Sequence, residues 1–328
     1  MKFGNLYGHT DGVNCLTYWN TVAASGSDDH TVRLWDLNTS SCISVIDGVF
    51  DKKITSICHN PRMTKQLYVA CGNRILEFDL RNLPSIVSTY NNDIEDPSAS
   101  ITCMCIDPEG YIMGSCDNMG NISIHNVYTN ETTPIMNKDR SIHNLSFYRQ
   151  GKNISLLASG DLSTLYNYSM TGEVLHKTVL PVLPDTEDEF IQPPVINDIC
   201  VNYDDNMLYV GCLDGSIRCV VPQGKDIALE NYIICKPHSD SVKKITTGKN
   251  MEGSNLVFSV GADSRLSICS KTANGRRFDQ QLHVKLRNVP NSLCFVDTLS
   301  DNMVLSCSNS NYLLTITEIA LGVCFSHS

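Results

Sequence analysis

The chain has 328 residues, enough for two domains of ordinary size or for one large repeat array. With 42% hydrophobic and 18% charged residues it can bury a sizeable core, which excludes a disordered chain. Lys and Arg total 25 against 35 Asp and Glu, and a net charge of −10 argues against general nucleic-acid binding, because phosphate backbones attract the opposite balance.

The opening residues Met1 to His9 carry no signal-peptide apolar region, and no run reaches the roughly 18 apolar residues of a membrane span. The expectation is a soluble protein of the cytoplasm, the nucleus or both, with no membrane partner. Of 15 cysteines many fall in strand-like runs, among them Cys15, Cys105, Cys116, Cys200, Cys212 and Cys307. Such residues act as small buried hydrophobes in a reducing compartment. The sequons at Asn38, Asn121, Asn130, Asn144, Asn153 and Asn167 then carry no meaning.

A period organises the chain. Short β-type runs open units near Val13, Ile54, Ile101, Ile142, Val195, Val242 and Asn291, at spacings of 41 to 53 residues. That period suits a four-stranded propeller blade with its loops and exceeds that of common helical repeats. Ahead of the first unit, Lys2 to Tyr7 is expected to supply the outer strand of the last blade, with the tail Leu321 to Phe325 as rival. In the second unit Leu67 to Cys71 turns at Gly72-Asn73 into Ile75 to Phe78. Pro181 to Pro194 breaks the rhythm: prolines and like charges oppose strand pairing, so an acidic loop 181–194 is expected between the fourth and fifth units. Beyond it, Met207 to Cys212 turns at Asp214-Gly215 into Ser216 to Cys219, and Leu256 to Val260 turns at Asp263-Ser264 into Leu266 to Cys269. No long amphipathic helix is visible. Residues 1–328 therefore read as a single all-β domain.

The first unit carries the most specific signal. Gly8-His9 followed by Ala23 to Asp36, ending in Trp35-Asp36, resembles a complete WD repeat. The Trp-Asp position decays to Phe78-Asp79 in the second unit, His125-Asn126 in the third and Cys269-Ser270 in the sixth. The resemblance to the WD-repeat family implies a seven-bladed β-propeller of four-stranded antiparallel blades, its ring closed by the N-terminal strand.

His9, Ser25 and Asp29, and His238, Ser259 and Asp263, have the residue types of a nucleophilic triad. The family resemblance implies a structural relay instead, in which a Trp indole, Trp35 in the first unit, donates to Ser, Ser to His and His to Asp. No Gly-x-Ser-x-Gly elbow occurs, so no catalytic residue is nominated. Cys103-x-Cys105 and Cys58-His59 have zinc-ligand types, but no second pair stands at a metal spacing, and buried packing is expected. No phosphate loop, dinucleotide fingerprint or His-Glu-x-x-His is present, so no cofactor is expected.

Two features point outward. The basic pairs Lys52-Lys53, Lys243-Lys244 and Arg276-Arg277 are ordinary loop charges, yet Lys52, Lys53 and Lys243 precede or enter innermost strands, where loops at the channel mouth can capture an acidic peptide. Phe78-Asp79-Leu80-Arg81 resembles the Trp-Asp-x-Arg motif that WD-repeat substrate receptors of cullin-4 ubiquitin ligases present to their adaptor, with Phe78 in place of Trp. That likeness implies adaptor binding through Phe78, Asp79 and Arg81. The same spacing also makes a common turn with a solvated ion pair. The expectation is a non-enzymatic scaffold contacting other proteins, an adaptor on one face and a client or acidic peptide on the other. The alternatives are a hydrolase and a peptide-binding module, either one using the channel mouth.

Overall fold

The computed structural model describes residues 2–91, 98–135, 142–151, 153–160, 163–180, 194–220, 232–249, 253–271, 278–297, 302–308 and 312–317. Of the expected features, segment 181–193, the Arg276-Arg277 pair and the tail 321–325 lie outside the described residues.

All regular elements among these residues are strands. The chain opens on β1 (Lys2–Tyr7). Blade 1 comprises β2 (Val13–Trp19), β3 (Val22–Ser27), β4 (Val32–Asp36) and β5 (Ser41–Ile46), and blade 2 comprises β6 (Ile54–His59), β7 (Gln66–Cys71), β8 (Arg74–Asp79) and β9 (Ile86–Asn91). Blade 3 holds β10 (Ile101–Ile106), β11 (Ile112–Asp117), β12 (Ile122–Asn126) and β13 (Thr132–Ile135). Blade 4 holds β14 (Ile142–Gln150), β15 (Asn153–Gly160), β16 (Thr164–Tyr168) and β17 (Val174–Val179). Blade 5 holds β18 (Ile196–Asn202), β19 (Met207–Cys212), β20 (Ile217–Val220) and β21 (Tyr232–Cys235). Blade 6 holds β22 (Val242–Lys249), β23 (Asn255–Gly261), β24 (Arg265–Lys271) and β25 (Phe278–Lys285). The last blade is a composite: β26 (Pro290–Asp297), β27 (Asn302–Ser308) and β28 (Tyr312–Thr317) are completed by β1, which runs antiparallel to β28 with Lys2 opposite Thr317 and Tyr7 opposite Tyr312. The seven sheets each have four strands, paired antiparallel in sequence order.

Alternation along each strand puts apolar residues on both faces of a blade, and those faces meet in the seams between blades. Cys15, Ala24 and Leu34 of blade 1 pack on Ile54, Val69 and Phe78 of blade 2, while Leu16, Ala23 and Trp35 on the opposite face pack on Leu305, Cys307 and Leu313 of blade 7. Every other pair of neighbouring blades shares such a cluster, so apolar burial runs around the whole circle. Closure removes the sheet edges that an open array would expose along its ends.

A second belt ties the inner strands together at one rim. Each inner strand has a bulge within its first three residues, and in blades 1, 2, 5 and 7 the extra residue bonds to the next blade. Asn14 Nδ2 donates to the Ile54 carbonyl (3.0 Å), Thr55 Oγ1 to that of Ile101 (2.6 Å), Asn197 Nδ2 to that of Val242 (3.0 Å) and Asn291 Nδ2 to that of Val13 (3.0 Å). Asn144 bridges blades 4 and 5 in the same way, through the Asn197 carbonyl at 2.6 Å. The bond from Asn291 to Val13 joins the last blade to the first.

Candidate functional site

Strand direction sorts the surface residues between two rims. Inner strands begin at the rim called top here, so the antiparallel order puts the turns between first and second strands, and between third and fourth strands, at the bottom. The turns between second and third strands and the connections between blades lie on top.

The relay residues come together on the top side. Trp35 Nε1 donates to Ser25 Oγ at 2.8 Å, Ser25 Oγ and His9 Nε2 lie 2.7 Å apart, and His9 Nδ1 lies 2.8 Å from Asp29 Oδ2. Burial lowers the His9 pKa, so the ring is neutral near pH 7. At Asp29 burial pushes upward, but bonds from the Thr31 hydroxyl, the Thr10 amide and His9 outweigh it and hold the carboxyl low. Gly8 leaves room beside this set: a Cβ there would meet the mobile end of Arg33 (Nη1) at 2.7 Å and the Trp35 ring at 3.1 Å. In blade 6 His238 lies 2.8 Å from Ser259 Oγ and 3.0 Å from Asp263 Oδ1, while Cys269 holds the position of Trp35. Ser25 and Ser259 are fully buried, so neither hydroxyl is open to a substrate carbonyl.

Blades 2 and 3 fill the place of the relay in other ways. In blade 2 the register positions of Ser25 and Trp35 belong to Val69 and Phe78, and Phe50, four residues ahead of Ile54 as His9 is ahead of Val13, stacks edge-on to Phe78 at 5.7 Å. The Phe78 ring is thus wholly buried in the core, and of the adaptor-motif residues only Asp79 and Arg81 reach the surface. In blade 3 Ser115 keeps its hydroxyl and His125 takes the Trp position, 2.8 Å away.

Arg81 lies on the turn after β8, at the bottom rim. Its side chain is 71% exposed, yet Nε and Nη2 both bond the Asp79 carboxylate, at 2.9 and 2.6 Å from its two oxygens. The Arg81 amide also donates to Asp79 Oδ1 at 2.9 Å. These bonds hold the Asp79 carboxyl down at about 2, so the pair stays ionised over the physiological range. A hollow of about 360 Å³ adjoins them, with Arg62, Lys65, Glu77 and Val87 in its wall. Arg62 lies over the Tyr111 ring at 4.8 Å. The hollow was not legible in the sequence, since its wall comes from three separate strand ends.

On the top rim Lys52, Lys53 and Lys243 are exposed. Lys244, the partner of Lys243 in its basic pair, is instead held by Asp198, with Nζ 2.7 Å from Oδ1. Burial would depress its pKa, but the charge and hydrogen bond of Asp198, together with the neighbouring Cys103 and Cys116, outweigh that effect and raise it. Cys58 donates to the Met104 carbonyl and His59 stacks on Trp19 at 4.2 Å, so both serve the seams. Among the described residues no group of three or more His, Cys, Asp or Glu is placed to hold a metal. No helix among them is long and apolar enough to cross a membrane.

Comparison with known proteins agrees with the geometry. The family model of the WD domain, G-beta repeat matches residues 2–36 and 191–220. The chain is a seven-bladed β-propeller of four-stranded blades, and its Trp–Ser–His–Asp relay is similar to that of the WD-repeat family. The Dictyostelium discoideum homolog of WD repeat-containing protein 53 is 31% identical over 179 residues, 52% of this chain and 48% of the relative. The Arabidopsis thaliana coatomer subunit beta'-2 is 34% identical over 62 residues, 18% of this chain and 7% of its own. A Drosophila melanogaster ribosome biogenesis protein BOP1 homolog is 37% identical over 71 residues, 21% and 9% of the two chains. The matched segments span about half the length of the first of these relatives and less than a tenth of the others.

Proposed function

We propose that this protein is a non-enzymatic scaffold of the cytoplasm or nucleus that holds a cullin-4 ubiquitin-ligase adaptor on its bottom rim and a client protein on its top rim. The observation that carries the reading is the Asp79–Arg81 pair: a 71% exposed guanidinium fixed by two hydrogen bonds to one carboxylate. An arginine left free would lose rotamer entropy on docking, whereas this one is oriented before contact. The adjoining hollow, with Val87 in its wall, offers apolar surface next to the charge. Lys52, Lys53 and Lys243 lie on the opposite rim, so the two partners do not compete for space.

The test is co-purification. Wild-type protein captured from a cell lysate is expected to bring down the cullin-4 adaptor, and Arg81→Ala is expected to lose it while melting at the same temperature. Equal recovery of adaptor with both proteins, or recovery with neither, contradicts the reading.

A further inference from the structure

Blade 7 lacks the histidine that the relay uses in blade 1. Ser306 lies opposite Leu293 as Ser25 lies opposite Leu16, so it holds the register position of the relay serine. Leu286 is four residues ahead of Pro290, the place of His9 relative to Val13. A leucine neither donates nor accepts, and a cavity of about 310 Å³ opens at this point on the top rim. Lys285, Leu286, Arg287, Ser306 and Tyr312 are in its wall, and Asn5 of β1 contributes from the closing strand.

The charge of this cavity differs from that of its counterpart. In blade 1 the residues flanking His9 are Gly8 and Thr10, and the anion is internal, the Asp29 carboxylate. In blade 7 the flanking residues are Lys285 and Arg287, both exposed, and among the described residues neither is engaged in an ion pair. Two cations that pair with no acid among the described residues, two residues apart at the mouth of a cavity, stand on a chain whose net charge is −10. That is a local field of the sign opposite to the whole molecule, and it attracts anions.

We propose that the cavity between blades 6 and 7 binds the carboxylate side chain of an acidic peptide segment of a partner protein. Lys285 and Arg287 receive the carboxylate at the lip, the Arg287 guanidinium as a planar fork, and the Ser306 hydroxyl lies deeper in the wall. The incoming acid supplies from outside the anion that Asp29 supplies from within in blade 1. About 310 Å³ admits one or two side chains and not a folded element. The site lies on the top rim but is separate from Lys52, Lys53 and Lys243, and it stands whether or not the bottom rim binds an adaptor.

Fluorescence polarisation with a fluorescein-labelled hexaglutamate peptide tests it, with hexaglutamine as control. Saturable binding of hexaglutamate alone is expected, weakened about tenfold or more in Lys285→Glu and in Arg287→Glu, which both sit on exposed side chains and keep the wild-type melting temperature. Lys243→Glu is expected to bind as the wild type does. No binding of hexaglutamate, equal binding by Arg287→Glu and wild type, or loss of binding in Lys243→Glu but not in Arg287→Glu overturns the proposal. The last of these outcomes would place acid capture at the channel mouth.

Discussion

Ser115 Oγ and His125 Nε2 lie 2.8 Å apart at the register positions that Ser25 and Trp35 occupy in blade 1. An imidazole has replaced an indole as partner of the serine, and its other nitrogen, Nδ1, is 2.9 Å from Thr132 Oγ1. The ring also meets Tyr90 of blade 2 edge-on at 5.5 Å, so it is enclosed from both sides.

This enclosure makes the fold sensitive to acid. Burial pushes the His125 pKa down to about 4, and His9 and His238 are lowered for the same reason. Each is a base that the unfolded chain protonates more readily than the folded one. Its stabilising share is therefore complete above about pH 6.5 and is lost as pH falls toward the folded value. For His125 that amounts to about 3 kcal/mol between pH 6.5 and 4. Urea midpoints measured from pH 8 to pH 4 are expected to fall below pH 6.5; midpoints that hold level or rise on acidification contradict the assignment.

Removing the relay carboxylate tests a different bond set. Asp29 accepts from Thr10, Thr31 and His9. Asp29→Ala leaves those donors without their acceptor and is expected to cost about 1–3 kcal/mol, read from the shift in urea midpoint. An unchanged midpoint would mean that the relay contributes nothing to the fold.

The belt predicts a particular weak point. Asn291 joins blade 7 to the Val13 carbonyl of blade 1, in the seam that closes the ring. Asn291→Leu is expected to lower stability by about 1 kcal/mol and to speed hydrogen exchange in β1 and β26 before it does so in blades 3 and 4. Uniform acceleration across all blades would show that the seam is not where the ring opens.

The relay serines give a chemical prediction. Ser25 and Ser259 are fully buried, each within 2.8 Å of a histidine nitrogen. A fluorophosphonate probe is expected to leave both unlabelled in the folded protein. Labelling of either, located by peptide mass spectrometry, would revive a hydrolase.

The seven-bladed fold was legible in the sequence because its markers are local: an alternating run, a two-residue turn and a second run, as in Leu67 to Phe78. The relay was legible for the same reason, through Gly8-His9 and Trp35-Asp36. What replaces the relay was not. Phe50 against Phe78, and His125 against Ser115, are pairs whose members are 28 and 10 residues apart and whose types match no motif. The belt was hidden because it depends on bulges, which shift one residue out of the alternation without changing composition. Lys285 and Arg287 left a signal that only the register makes readable: two cations bracketing the place where blade 1 has its histidine.

The bottom rim at blade 2 is the surface we propose for contact with a cullin-4 adaptor. Hydrogen–deuterium exchange of this protein with and without the purified adaptor measures it directly. Protection is expected in the turn residues 61–65 and 80–85 around Asp79 and Arg81, with the top rim unchanged. Protection confined to the top rim, or none at saturating adaptor, would contradict the claim.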